Sequence, residues 1–308
     1  MTISVVRLRD FLELIRFSHT VFALPFALLG AVLACVVPGS HVDFRPQTLG
    51  LRIVAVVLCM ITARSAAMSF NRLVDASIDA RNPRTFSRHL PGGRLSSSSV
   101  WFFFIISVLA FLVSCSLFWP NVLPLAGAVP VLLWICLYSY AKRFTAAAHL
   151  WLGGALALSP ICAWGAVRGE QLMVDPWDIG PAVGLGVAIA LWVAGFDIIY
   201  ACQDAEFDRL EGLHSIPARV GIAGALRLAA VAHGSMLFVL AWLPWLFPQL
   251  RLGLIYMFSL AGVALLVLIQ HRLVRPNDLG RVNLAFFHVN AVISFGLSAA
   301  TALDAYLG

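Results

Sequence analysis

In a chain of 308 residues, 61% hydrophobic and only 12% charged, with a mean hydropathy of +0.90, charge falls well short of the roughly 25% of a water-soluble domain, which excludes that class. The net charge of +6 does not indicate nucleic acid, because Lys142 is the sole lysine and the arginines flank apolar runs, as at a membrane surface. Six cysteines fall singly, almost all in apolar stretches and with no C-x-x-C pair, so they read as small core residues rather than a zinc or redox site.

A helix needs about 20 apolar residues to cross hydrocarbon, and nine such runs are bounded by charge, proline or glycine. They cover 19–38, 50–70, 99–119, 121–140, 148–167, 179–200, 224–245, 252–270 and 283–306. The chain reads as an all-α integral membrane protein of about nine spans forming one domain, 1–308. A loose lipobox-like stretch ends at Cys35, but cleavage there would discard a helix-length segment, so Cys35 stays with the core. Phe102, Phe103 and Phe104 and the tryptophans Trp151, Trp164 and Trp192 are read mostly as lipid-facing or interfacial belt.

Placing the N-terminus in the cytoplasm puts Arg7, Arg9, Arg16, Arg72, Arg81, Arg84, Arg88, Arg94, Lys142, Arg143, Arg209, Arg219, Arg272, Arg275 and Arg281 on that side. That is 15 of the 21 basic residues. Arg45, Arg52, Arg168 and Arg251 fall opposite, and Arg64 and Arg227 fall within spans. The asymmetry predicts a cytoplasmic N-terminus and, with nine spans, a C-terminus on the opposite side.

Two connections on the predicted cytoplasmic side, 71–98 and 201–223, are longer than topology requires, and both carry acids. Asn71, Asp75 and Asp79 recur every four residues, so a helix leaving span two stacks their oxygens on one face. Asp197, Asp204 and Asp208, at steps of seven and four, share a face after span six. Two facing acidic helices repel unless cations lie between them, and separated carboxylates suit magnesium, which fills its shell with water and substrate phosphate. Arg72, Arg84, Arg88, Lys142 and Arg143 supply the positive groups a diphosphate needs. Arg64 lies seven residues before Asn71 on the same face, where a cation costs at least about 2.5 kcal/mol unless it meets a cavity or partner, or snorkels to the interface. His19, His149, His214, His233 and His288 follow no metal-ligand spacing and read as packed or capping residues.

The runs Asn71 to Asp79 with Asn82-Pro83-Arg84-Thr85, Tyr138 to Thr145, and Asp197 to Asp208 with Gly212-Leu213-His214-Ser215-Ile216-Pro217 resemble the UbiA superfamily of membrane aromatic prenyltransferases. The resemblance is nearest the 4-hydroxybenzoate polyprenyltransferase branch and its naphthoate relatives of menaquinone synthesis. It implies a bundle of nine helices around a central cavity, capped by the two long cytoplasmic loops. It implies Mg2+ and diphosphate at Asp75, Asp79, Asp204 and Asp208, assisted by Asn71, and matches Lys142 to the family's lysine, while Arg72 and Arg84 are assigned to the diphosphate by their charge beside these acids. It places Arg64 on the acceptor carboxylate, and Asp197 near the reacting carbon, either stabilising the allylic cation or taking the ring proton. Arg72 departs from the family pattern, which has a second acid there.

The implied substrates are a polyprenyl diphosphate and an aromatic acid, either 4-hydroxybenzoate or 1,4-dihydroxy-6-naphthoate, in ubiquinone or menaquinone synthesis, with no nucleic acid and no obligate protein partner. Branches acting on haem or a glycerol phosphate are alternatives. From another class, a secondary transporter also fits paired acidic segments, but would hold its site at the midplane in broken helices.

Overall fold

The structure, a computed structural model, describes residues 9–15, 22–38 and 46–308, with side chains from residue 50 onward in the last stretch. Arg7, Arg16, His19 and Arg45 lie outside the described residues, as does part of the first predicted span. Nine principal helices follow: α1 (Leu24–Val36), α2 (Pro46–Arg81), α3 (Ser97–Ser116), α4 (Leu123–Ala141), α5 (Ala148–Val167), α6 (Gly180–Ala201), α7 (Ile216–Leu246), α8 (Leu254–Leu273) and α9 (Asn290–Leu307). Among the described residues, eight helical segments are long and apolar enough to cross a membrane, and α1, at 13 residues, is shorter. The protein is an all-helical, multi-pass membrane protein.

The helix starts follow from local chemistry. Proline stands in the first turn of α1, α4, α6 and α7, where its missing N–H costs nothing. Ser96 and Ser215 cap α3 and α7 by accepting from the amides of Ser99 and Ala218. Helix α7 is broken at Gly221, whose φ of +72° only glycine adopts readily.

As the spacing of Asn71, Asp75 and Asp79 predicts, α2 continues well past the end of the second apolar run. Its apolar run ends near residue 70, but no helix breaker occurs before Asn82-Pro83, so the helix continues to Arg81. At 36 residues it is about 54 Å long, well beyond the roughly 30 Å of hydrocarbon. Its last turns therefore run past the apolar stretch and carry Asn71, Asp75 and the buried Asp79, and the loop proper begins at 82. The 201–223 connection likewise contains a 3₁₀ turn (Cys202–Asp204), a short helix (Ala205–Leu210) and the start of α7.

Helices α5 and α6 pack closely because Gly153 lies against the α6 backbone, where an added Cβ would come within 2.3 Å of the Ala190 carbonyl oxygen. Trp164 and Trp192, expected at the lipid boundary, are instead fully buried (0% and 1% exposed). Each indole N–H finds an internal acceptor, Asp178 Oδ2 and Asn290 Oδ1 respectively, at 3.1 Å.

At the end of the bundle opposite residues 82–95, the buried Arg168 forks onto both oxygens of Asp178 at 2.7 Å and donates to the carbonyls of Ala34, Val37 and Pro38. This pins the end of α1 to the end of α5. Arg168→Leu takes the ion-pair partner from the part-buried Asp178 carboxylate, to which the Trp164 N–H still donates, and should lower stability by about 3–5 kcal/mol, measured by thermal or denaturant unfolding in detergent; an unchanged midpoint would refute the pin.

Candidate active site

Helix ends and the loops between them meet at one end of the bundle around a cavity of about 370 Å³. Its mouth is lined by Asn71, Arg72, Asp75 and Asp79 of α2, Arg84 and Arg88 of the following loop, Lys142 after α4, and Asp197, Asp204 and Asp208 of α6 and its continuation. The two acidic segments, 122 residues apart between Asn82 and Asp204, are joined by a hydrogen bond from Asn82 Nδ2 to Asp204 Oδ1 at 3.2 Å.

The second segment is not the continuous helix its spacing predicts. After Ala201 the chain tightens into the 3₁₀ turn and resumes as the helix 205–210, yet Asp197, Asp204 and Asp208 still line the same cavity.

Asp204, Asp79 and Asp75 each face an arginine. Arg84 forks onto Asp204, its Nε donating to Oδ1 at 2.8 Å and its Nη2 to Oδ2, while Nη1 donates to the Tyr200 hydroxyl at 2.9 Å. Arg88 Nη1 bridges both oxygens of Asp79 at 2.7 and 2.8 Å. Arg143 donates to the Val74 carbonyl and lies 3.8 Å from Asp75, to which Asn71 also donates at 2.9 Å. Arg72 is buried, its Nε donating to the Leu14 carbonyl and its Nη1 4.0 Å from Asp79. Burial pulls the Lys142 ammonium down, but Asp208, Asp75, Asp197 and Asp204 together outweigh it and hold the group above the ordinary lysine value. Lys142 is thus a fixed positive charge among four carboxylates.

Local sequence explains how the arginines are held. Asn82, ahead of Pro83, accepts from the Arg84 amide at 2.8 Å through its own side chain, so the chain turns back over the cavity. Thr85 Oγ1 returns to the Asp79 carbonyl at 3.1 Å. At the rim, Arg81 and Glu211 pair at 2.7 Å across the two caps, and the His214 amide donates to the Lys142 carbonyl at 2.7 Å.

The donor set suits a hard divalent cation. It is carboxylate oxygen, and Asp208 Oδ2 is buried with no hydrogen-bond partner among the described residues, which is costly unless a cation completes it.

Deeper in, the walls turn apolar. Arg64, on α2 two turns before Asn71, lines this inner part together with Ala67, Met68, Ser159 and Cys162. A second, apolar cavity of about 220 Å³ continues from it, sharing Cys59, Met60, Phe111, Val131, Ser159 and Cys162 and extending to Phe118 and Leu123.

Sequence reasoning missed Tyr200, which holds Arg84, and His149, whose Nδ1 lies 2.7 Å from Asp197 Oδ2. The expectation that His149 caps is nonetheless met, because its Nε2 accepts from the Ile216 amide. Neither residue has a spacing signal. Each is found only when helices distant in sequence are brought together.

A model of the UbiA prenyltransferase family matches residues 23–292. This chain belongs to the UbiA prenyltransferase family. It is 33% identical over 230 residues to a 4-hydroxybenzoate octaprenyltransferase of Tolumonas auensis, covering 74% of this chain and 76% of that one. Its fold superposes on the apo structure of a UbiA homologue from Aeropyrum pernix with a TM-score of 0.77 at 31% identity, covering 93% and 98% of the two chains. A UbiA homologue from Archaeoglobus fulgidus, solved with DMAPP and Mg2+, shares the fold at 16% identity, with a TM-score of 0.64 over 96% and 99% of the chains.

In this UbiA-family chain Arg84 holds the Asp204 carboxylate oxygens that a divalent ion bound there would need. Arg84→Gln should therefore tighten divalent-ion binding in the absence of diphosphate while weakening diphosphate binding. Calorimetric titration of each ligand checks both signs, and weaker ion binding would show that Arg84 and the ion do not compete.

Proposed function

We propose that the chain transfers a polyprenyl group from its diphosphate to a ring carbon of an aromatic carboxylic acid of the 4-hydroxybenzoate type, for lipid-quinone synthesis. The observation that carries this is a single cavity whose mouth holds carboxylates and guanidinium groups and whose interior is apolar. That polarity gradient matches a diphosphate head on a hydrocarbon tail. The 4-hydroxybenzoate octaprenyltransferase relative and the DMAPP- and Mg2+-bound neighbour support the substrate classes.

Asp75, Asp79, Asp204 and Asp208, with Asn71 beside them, would hold magnesium. When bound, the ion supplies neutralisation of the charge that develops on the diphosphate. Arg72, Arg84 and Lys142 bind and orient the diphosphate oxygens, arginine as a fork and lysine as a point charge. The apolar inner walls take the polyprenyl chain and exclude water, which would otherwise capture the allylic cation. Arg64 holds the acceptor carboxylate, so that the electron-rich ring faces that cation. Asp197 stabilises the cation or takes the ring proton.

We read residues 1–308 as one prenyltransferase domain in the bacterial inner membrane, capped by 71–98 and 201–223, with N-terminus and active site toward the cytoplasm. The distribution of the 21 basic residues supports that orientation.

The test is a membrane assay with labelled prenyl diphosphate, with magnesium or EDTA, and with 4-hydroxybenzoate and 1,4-dihydroxy-6-naphthoate side by side. Magnesium-dependent prenylation of 4-hydroxybenzoate is expected, and product with neither acceptor overturns the reading. Asp75→Ala and Asp204→Ala should each lower kcat by at least about 100-fold without loss of the protein from the membrane, and near-normal turnover would remove that residue from the site. Arg64→Ala should raise KM for the aromatic acid and leave that for the prenyl diphosphate unchanged.

A further inference from the structure

His149 opens α5 and is 1% exposed, so its polar atoms must be answered within the protein. Its Nδ1 lies 2.7 Å from Oδ2 of Asp197 on α6, and its Nε2 lies 3.3 Å from the backbone amide of Ile216, the first residue of α7. An amide N–H can only donate. The imidazole lone pair is therefore on Nε2 and the proton on Nδ1, which donates to Asp197. One ring thus joins three helices, and the amide it satisfies is an orphan donor of a helix start.

Asp197 lines the cavity with its side chain 19% exposed. With Oδ2 taken by His149, Oδ1 is the oxygen left for the cavity, since it has no hydrogen-bond partner among the described residues.

We propose that His149 is a positioning residue that fixes Asp197 so that Oδ1 takes the proton from the newly prenylated ring carbon. This rests on the aromatic-acceptor reading above, and between the two roles open to Asp197 it selects proton removal. In the step, the ring C–H bond breaks, its electron pair restores the aromatic ring, and the proton passes to Asp197 Oδ1 and then to water or the outgoing diphosphate. Nothing is oxidised or reduced. His149 does not relay the proton, because its Nε2 is occupied by the Ile216 amide. It keeps its own proton on Nδ1 and holds the carboxylate's orientation, as an outer partner orients a ligand in a metal site.

The full-length protein in lipid nanodiscs is assayed with prenyl diphosphate, magnesium and 4-hydroxybenzoate carrying deuterium at the reacting ring carbon. For His149→Phe, kcat should fall about 10–100-fold with KM for both substrates unchanged, and a primary deuterium isotope effect larger than the wild type's should appear as proton removal becomes limiting. His149→Asn, whose amide can donate from near the Nδ1 position, should recover most of kcat and return the isotope effect toward wild type. If His149→Phe does not accumulate, His149→Asn against His149→Gln makes the same comparison, with Gln expected to show the defect.

An unchanged kcat, or a loss of kcat with raised KM and an unchanged isotope effect, would overturn the inference and leave His149 a packing residue. A wild type that forms no ring-prenylated product overturns the aromatic reading and this inference with it. Product from the wild type with no isotope-effect change in the variants overturns this inference alone.

Discussion

Carboxylates gathered at the end of an apolar bundle repel one another, and the rest of the site is organised around answering that repulsion. Two like charges about 4 Å apart cost about 4 kcal/mol at the effective dielectric of a protein surface, and Asp75, Asp79, Asp204 and Asp208 line one cavity. The protein sets Arg88 on Asp79, Arg84 on Asp204, Arg143 near Asp75, and Lys142 among Asp75, Asp197, Asp204 and Asp208. Asp75 and Asp79 are borne by a helix that projects beyond the membrane, whereas Arg84 and Arg88 are borne by the loop that follows it. Rigid acids and loop-mounted bases would let the positive groups trade a carboxylate for a phosphate without moving the acids.

The two ends of the bundle divide the labour. At the far end, Arg168 and Asp178 spend their hydrogen bonds on the carbonyls of α1 and on Trp164, which fixes helix positions. At the site end, polar groups bridge segments that would otherwise be loops: Arg81 to Glu211, Asn82 to Asp204, and the His214 amide to Lys142. The cavity between these ends runs from charged to apolar, a gradient that matches an amphipathic molecule with a charged head. His149 adds a fourth bridge, from Asp197 to the start of α7, placed where the charged mouth gives way to the apolar interior.

The sequence by itself determined that the chain crosses a membrane many times, because burying backbone in lipid demands long apolar helices and leaves that requirement written in continuous runs. It also determined which acids and bases form the mouth, since spacings of four on one helix bring Asn71, Asp75 and Asp79 together without any tertiary information. The end of α2 was legible only as the absence of a breaker before Pro83, and the 3₁₀ turn at 202–204 had no signal at all.

Tertiary structure alone decided the partners across helices. Tyr200 under Arg84, Asn82 on Asp204, His149 on Asp197, and Trp164 and Trp192 inside rather than at the lipid boundary all depend on side chains 14 to 122 residues apart. In a chain whose helices are apolar on nearly every face, periodicity cannot say which face meets another helix and which meets lipid. That choice is made by where a buried polar atom finds its partner, and the partner lies on a different helix.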